Sequence, residues 1–364
     1  MIWLLLFAVI FIICVAGALY LCFSIAKLEC IRRLTTGRKW LARLISLVII
    51  TAVFVALSAG LSLLDAATAL IHVVFFFCLT GIILKVNAKL RQREPSISLQ
   101  AALTIVLSIS YLALGYYQCI NVWETNYVLS SDKCSAPVRI AMIADVHLGT
   151  TFDGEGFAKH VDTIMSHDPD YLMIVGDFVD DDTRRDDMIR ACEALGSANP
   201  KHGVWYVYGN HDKGYFSSRD FSERDLKEAL HDNGVHVLAD DVVCEGQLCL
   251  VGRRDGMTMA RMDIDTLMQK ADTSKYTVIL NHEPTDYANE SSTNADLVLS
   301  GHTHGGQIIP IGILQLILKQ NDKVYGCEVK NGTSFIVTSG ISDWALHFKT
   351  GTRSEYVIID IGRH

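Results

Sequence analysis

The chain has 364 residues, half of them apolar and only 20% charged, with a mean hydropathy of +0.27. Residues 1–120 carry ten Lys/Arg against three acids, a formal +7, which leaves 22 basic against 37 acidic residues, a formal −15, in the remainder. This division excludes a single soluble core, and the acidic second half excludes a long nucleic acid as a natural partner.

In chain order, the first half holds four apolar runs: Ile2–Ala26, Leu44–Leu64, Ala66–Leu84 and Leu99–Ile120. Each is long enough for a helix to cross a hydrocarbon core of ~30 Å. Only Asp65 separates the second run from the third, which predicts a helical hairpin with a very tight outer turn. The first run does not read as a cleaved signal, because no basic residue precedes it and basic residues crowd its far end. Lys27 to Arg43 carries six Lys/Arg and Lys85 to Arg93 carries four, so both loops are expected in the cytoplasm. The N-terminus, the Asp65 turn and everything after the fourth span then lie outside. The expected organisation is a four-helix transmembrane region over 1–120, a polar linker over 121–137 with a short strand at Trp123–Leu129, and a C-terminal domain over 138–364, extracytoplasmic on a multi-pass cell-membrane protein.

Five of the ten cysteines, Cys134, Cys192, Cys244, Cys249 and Cys327, fall in the outer half. Cys244 and Cys249 lie between segments that read as adjacent strands, and an outside location permits a disulfide to close that hairpin. There is no CxxC pair to support a zinc ribbon.

From Val138 short β-rich runs recur: Val138–Ile143, Tyr171–Val175, Val204–Tyr208, Val235–Leu238, Leu248–Val251, Tyr276–Leu280, Leu297–Leu299, Phe335–Val337 and Tyr356–Ile359. Helical patterns fall at Gly156–Ser166, Asp186–Ser197 and Ser222–Asp232. Alternation of strand and helix predicts an α/β domain, and the later clustering of strands a partly antiparallel second sheet.

Five of these runs end in a metal-competent side chain. Ala144-Asp145-Val146-His147, Gly176-Asp177, Gly209-Asn210-His211-Asp212, Asn281-His282-Glu283 and Gly301-His302-Thr303-His304 follow in order. The carboxyl edge of strands in an α/β sheet is where ligands bind. Asp145, His147, Asp177, Asn210, His282, His302 and His304 exceed the needs of one first-row ion and suit two, with one carboxylate shared. Carboxylate, amide and imidazole donors without thiolate favour Mn, Zn or Fe over Ca or Mg. Two such ions ~3.5–4 Å apart form a clamp for in-line displacement at phosphorus and acidify a water shared between them.

With these motifs the region from Val138 to Ile361 resembles a calcineurin-like metallophosphoesterase, and the GHTHGGQ form with the preceding apolar helices resembles the bacterial membrane-bound branch. The resemblance implies a four-layer α-β-β-α sandwich with two mixed sheets. It implies a first ion on Asp145, His147, Asp177 and His304, and a second on Asp177, Asn210, His282 and His302. His211 would face the phosphate and assist the leaving group, with Asp212 orienting His211. His160, His167, His202, His231 and His347 match no motif and read as surface residues. Asp180-Asp181-Asp182 reads as a solvated acidic loop, from which Asp180 alone reaches the site.

The substrate expected is a phosphodiester or pyrophosphate, of a lipid or another molecule close to the membrane. Eight of the eleven residues from Ile308 to Leu318 are Ile or Leu. That run reads either as core packing of a strand and helix or as an apolar lip for acyl chains. The rival reading is a membrane sensor or scaffold that binds phosphate ligands through the metal centre without turnover.

Overall fold

The structure, a computed structural model, describes residues 2–215 and 218–362. It divides into two compact units, 1–116 and 117–364.

The first unit is helical: α1 (Ile2–Ile25), α2 (Glu29–Leu34), α3 (Lys39–Gly60), α4 (Leu63–Leu90) and the greater part of α5 (Ile97–Ile120). Of these, α1, α3, α4 and α5 are long and apolar enough to cross a membrane. Asp65 is not the turn between α3 and α4. Ser62 caps α4: its Oγ accepts the Asp65 amide at 3.0 Å and donates to the Asp65 carboxylate at 2.7 Å, which places Asp65 in the first turn of the helix. The chain turns at Leu61–Ser62, because the first amides of a helix need an acceptor that Leu64 or Leu61 cannot supply. Polar side chains tie α5 to α4: Thr80 and Thr104 share a hydrogen bond of 2.9 Å, and Gln100 Nε2 donates to the Phe77 carbonyl at 2.8 Å. Bonds of this kind hold helices together where apolar surface gives no preference between neighbour and lipid.

The second unit is built on two six-stranded mixed sheets. The first has the order β1 (Val122–Ser130), β12 (Ser354–Gly362), β2 (Val138–Ile143), β3 (Tyr171–Val175), β4 (Val204–Val207), β5 (His236–Leu238). The second has β10 (Gly326–Lys330), β11 (Thr333–Val337), β9 (Leu297–Ser300), β8 (Tyr276–Leu280), β7 (Leu248–Gly252), β6 (Asp241–Glu245). Strands β2 to β5 are parallel, as are β7, β8, β9 and β11. Apart from the edge strand β5, these strands are buried on both faces, and alternate side chains sort into separate layers. Ile140, Met142, Met173, Val207, Leu250, Val278 and Leu299 fill the space between the sheets. Ala141, Ile143, Leu172 and Tyr206 face α6 (Gly154–Met165), α7 (Arg185–Ala198) and α8 (Glu223–Asp232). On the far side Val251, Ile279, Val298 and Phe335 pack on Ile264 and Leu267 of α9 (Ile264–Met268) and Tyr287 of α10 (Tyr287–Glu290). The result is a four-layer α-β-β-α sandwich.

Within residues 121–137 the short strand expected at Trp123–Leu129 is β1, which pairs in parallel with β12 along nine residues and so belongs to the first sheet. Two further edge strands, β6 and β10, complete the second sheet. Cys244 and Cys249 are opposed in the β6–β7 ladder and form a disulfide.

Candidate metal centre

The parallel strands deliver their C-terminal ends to one edge of each sheet. Asp145 and His147 follow β2, Asp177 follows β3, Asn210 follows β4, His282 follows β8, and His302 and His304 follow β9. Asp145, His147, Asp177, His302 and His304 all have positive φ, between 39° and 70°. An L-residue held there costs about 1–2 kcal/mol and persists only where the surroundings enforce it. Here each reversal turns a side chain back over the sheet edge toward the same point. Gly301 is where the backbone itself must come close, since a Cβ there would lie 2.6 Å from Asp145 Oδ2.

The donors form two groups, Asp145–His147–His304 and Asp177–His282–His302, with donor atoms in each within 4.8 Å of one another. Asp177 Oδ2 stands between them, 3.1 Å from His282 Nε2 and 3.6 Å from His147 Nε2. Both imidazole nitrogens are buried and make no hydrogen bond. Each ring is locked by its other nitrogen: His282 Nδ1 donates to the Val175 carbonyl at 2.8 Å, and His147 Nδ1 to Asp180 Oδ2 at 3.0 Å. With those tautomers both Nε2 atoms carry lone pairs aimed at a carboxylate. Lone pairs facing one another without a proton are repulsive, whereas donors of one ion at about 2.0–2.2 Å from it naturally sit about 3 Å apart. The residues therefore fit a cation at each group. Asn210 adds its Oδ1, 2.9 Å from His302 Nδ1, while its Nδ2 donates to the Tyr215 hydroxyl at 2.8 Å.

Electrostatics agree with a centre built for positive charge. Burial, helped by the neighbouring His282, pushes His302 down to about 4, and burial also lowers His147, so both stay neutral and able to ligate. Burial resists charge on His282 as well, but the Asp177 carboxylate overrides it and raises that imidazole well above its ordinary value, so with no ion bound its Nε2 attracts a proton at the place a cation would take.

His211 lies beside the donors and is not one of the orphaned nitrogens. Its Nδ1 bonds Asp180 Oδ1 at 2.9 Å. Burial works against its charge, but the Asp180 hydrogen bond prevails and raises it to about 8. Asp212 does not orient His211, contrary to the sequence expectation. Its carboxylate accepts the amides of Asp177, Phe178, Val179 and Gly209 at 2.7–3.1 Å, which braces the β3 loop against the β4 loop. A carboxylate saturated by backbone donors has no lone pair left for an imidazole. Asp180 takes that place. It is 8% exposed, not solvated, and its two oxygens hold His147 and His211 together.

Sequence reasoning did not find Asp343 and Lys349. Asp343 Oδ1 lies 3.6 Å from His304 Nδ1 and 3.1 Å from Lys349 Nζ, all but His304 fully buried. An internal lysine at a pattern-free position carries no signal that could have found it. His160, His167, His202, His231 and His347 do not join the donor groups.

Residues 138–306 match the family described as calcineurin-like phosphoesterase. They are a calcineurin-like metallophosphoesterase domain. An uncharacterized metallophosphoesterase of Campylobacter jejuni is 28% identical over 307 residues, 80% of this chain and 78% of that one. A transmembrane protein with metallophosphoesterase domain from Danio rerio is 27% identical over 316 residues, 81% of this chain and 71% of that one. Among solved structures, a dimetal phosphatase from Danio rerio shares 13% identity, covers 56% of this chain and 87% of its own, and superposes with a TM-score of 0.36. The metallophosphoesterase domain makes this chain a metal-dependent phosphoester hydrolase, with candidate ligand groups for divalent ions at the strand ends.

Proposed function

We propose that the chain is a membrane-anchored phosphodiesterase or pyrophosphatase with a dinuclear centre, acting on a lipid or other substrate close to the membrane. In this reading Asp145, His147, Asp177 and His304 hold one ion, and Asp177, Asn210, His282 and His302 the other. The observation that carries it is the Asp177 carboxylate between two orphaned imidazole nitrogens, at 3.1 and 3.6 Å. Two divalent ions bound there supply charge neutralisation of the phosphoryl oxygens and an acidified water.

The chain's own residues do the rest. Asp145 accepts the His302 amide at 2.8 Å, so the β2 and β9 loops are fixed to each other before substrate arrives. His211, held through Nδ1 on Asp180, gives the proton on its other ring nitrogen to the departing oxygen. The Asp180 carboxylate on Nδ1 favours the charged, proton-bearing form of His211.

The basic loops at 27–43 and 85–93 support a catalytic domain outside the cytoplasm, and the Cys244–Cys249 disulfide supports the same side, since such bonds persist in oxidising compartments. A reporter fused at His364 that is active only in the cytoplasm would overturn that placement. Hydrolysis is tested with bis-p-nitrophenyl phosphate and Mn²⁺. Wild type turns the ester over; His211→Ala keeps its metal and loses about 10²–10⁴-fold on an alkyl diester, whose leaving oxygen needs the proton, but little on the nitrophenyl ester. Wild type that is metal-loaded yet inert across esters would favour the sensor reading.

A further inference from the structure

Beyond the buried Ile308, the apolar run after the His302–His304 loop is not core. It forms α11 (Ile311–Ile317), no residue of which is buried. Ile313, Ile317 and Leu318 are 59%, 68% and 65% exposed, and Ile309, Ile311, Leu314 and Leu316 are exposed as well. No charged residue interrupts 308–318.

The helix is held by its ends and by one tight contact. Gly306 lies against Gly312, where a Cβ on Gly306 would come within 2.4 Å of the Gly312 Cα. The Gln307 carbonyl accepts the amides of Thr350 and Gly351 at 2.8 and 3.1 Å, and Thr303 Oγ1 donates to the Val324 carbonyl at 2.6 Å. The apolar segment is thus fastened to the loop that carries His302 and His304, while its side chains face away.

At 3.6 residues per turn, Ile311, Ile313, Leu314, Leu316 and Ile317 cover well over half the circumference of α11, leaving Gly312 and Gln315 toward the protein. A partner's groove takes one stripe of a helix, whereas a helix apolar nearly all round belongs inside a core or among acyl chains. The chain itself names the available apolar phase. Four helices long enough to span a bilayer precede the domain, and Asn121 alone separates α5 from β1.

We propose that α11 is a lip that enters the adjoining leaflet, and that the substrate is a lipid phosphoester whose acyl chains stay beside α11 while its phosphate reaches the donor cluster. This rests on the hydrolytic function proposed above. In the reaction the water oxygen bonds to phosphorus, the bond from phosphorus to the leaving oxygen breaks, and that oxygen takes up a proton.

Two readouts on full-length protein in phosphatidylcholine nanodiscs test it. With a phosphatidylcholine carrying a diazirine on its acyl chain, photolabel is expected within 308–318 as well as in the apolar helices. Label confined to residues 1–120 overturns the proposal, whether a second copy or nothing covers the helix. The second readout compares p-nitrophenyl dodecyl phosphate with p-nitrophenyl methyl phosphate. Wild type is expected to favour the long chain, and Ile313→Ser with Leu316→Ser to lower that kcat/KM about tenfold while leaving the methyl ester within about twofold. An unchanged preference, or equal loss on both esters, overturns the substrate assignment. Turnover of neither ester, with label still in 308–318, overturns the hydrolytic reading and leaves the membrane contact supported.

Discussion

Asp180→Asn isolates the device that couples the candidate metal centre to His211, the proposed proton donor. The carboxylate accepts from His147 Nδ1 at 3.0 Å and from His211 Nδ1 at 2.9 Å, one oxygen to each ring. An amide of the same shape keeps one acceptor and turns the other into a donor, so one ring loses its partner whichever way the amide lies. A hydrogen bond to a charged group is worth about 1.5–3 kcal/mol, and 1.4 kcal/mol is a factor of ten, so the loss is roughly 10–100-fold. If the amide oxygen serves His147, metal affinity survives and His211 is freed. The cost then appears at saturating Mn²⁺ with an alkyl leaving group, which needs the proton, and is small with p-nitrophenolate, which does not. If the oxygen serves His211, the cost appears as weaker binding of the first ion. The assay is turnover of an alkyl and a nitrophenyl diester across a Mn²⁺ titration. Asp182→Asn, which removes the same charge from an exposed neighbour, is the control and is expected to leave both unchanged. Full activity of Asp180→Asn at low Mn²⁺ on both esters would refute the coupling.

Gly301→Ala places a Cβ 2.6 Å from Asp145 Oδ2 and is expected to abolish binding of one ion while the far-ultraviolet circular dichroism stays unchanged. Asp343→Asn leaves Lys349 buried without its counter-charge, and breaking such a pair costs about 3–5 kcal/mol. Thermal melting should fall by roughly 10 °C, and Asp343→Asn with Lys349→Met should recover part of the loss. Removal of divalent ions with EDTA is expected to lower the melting temperature of wild type, since ions that bind only the folded state stabilise it, with no such effect in Asp177→Ala.

Much of this arrangement can be read from the residues, and the parts that cannot have physical reasons. Strands such as Tyr171–Val175 and Tyr276–Leu280 are buried on both faces, so their apolar runs stand out between polar turns. Edge strands do not. In β6 and β10 most side chains face water, and their Asp, Glu and Lys erase the pattern. The edge strand β1 is the exception, since its alternation of half-buried and exposed residues leaves a pattern that can be read at Trp123–Leu129. Donors at strand ends are legible because both residue type and position are constrained. Their supports are less so: position just past Gly176-Asp177 points to Asp180 within the acidic run, but only the fold shows that it is buried while Asp182 is exposed. Asp212 sits next to His211 in sequence yet spends its oxygens on four amides, a choice set by how two loops meet. Ile308–Leu318 has the composition of a core helix, and nothing local distinguishes burial in protein from exposure at the surface.

The account stands or falls on whether the donors at the strand ends act as one centre for two ions. Titration of full-length, EDTA-treated protein with Mn²⁺, followed by counting bound ions, measures this directly. Saturation at two ions per chain is expected, falling to one in His304→Ala and to none held tightly in Asp177→Ala. Saturation at a single ion, or two ions retained after Asp177 is removed, would contradict it.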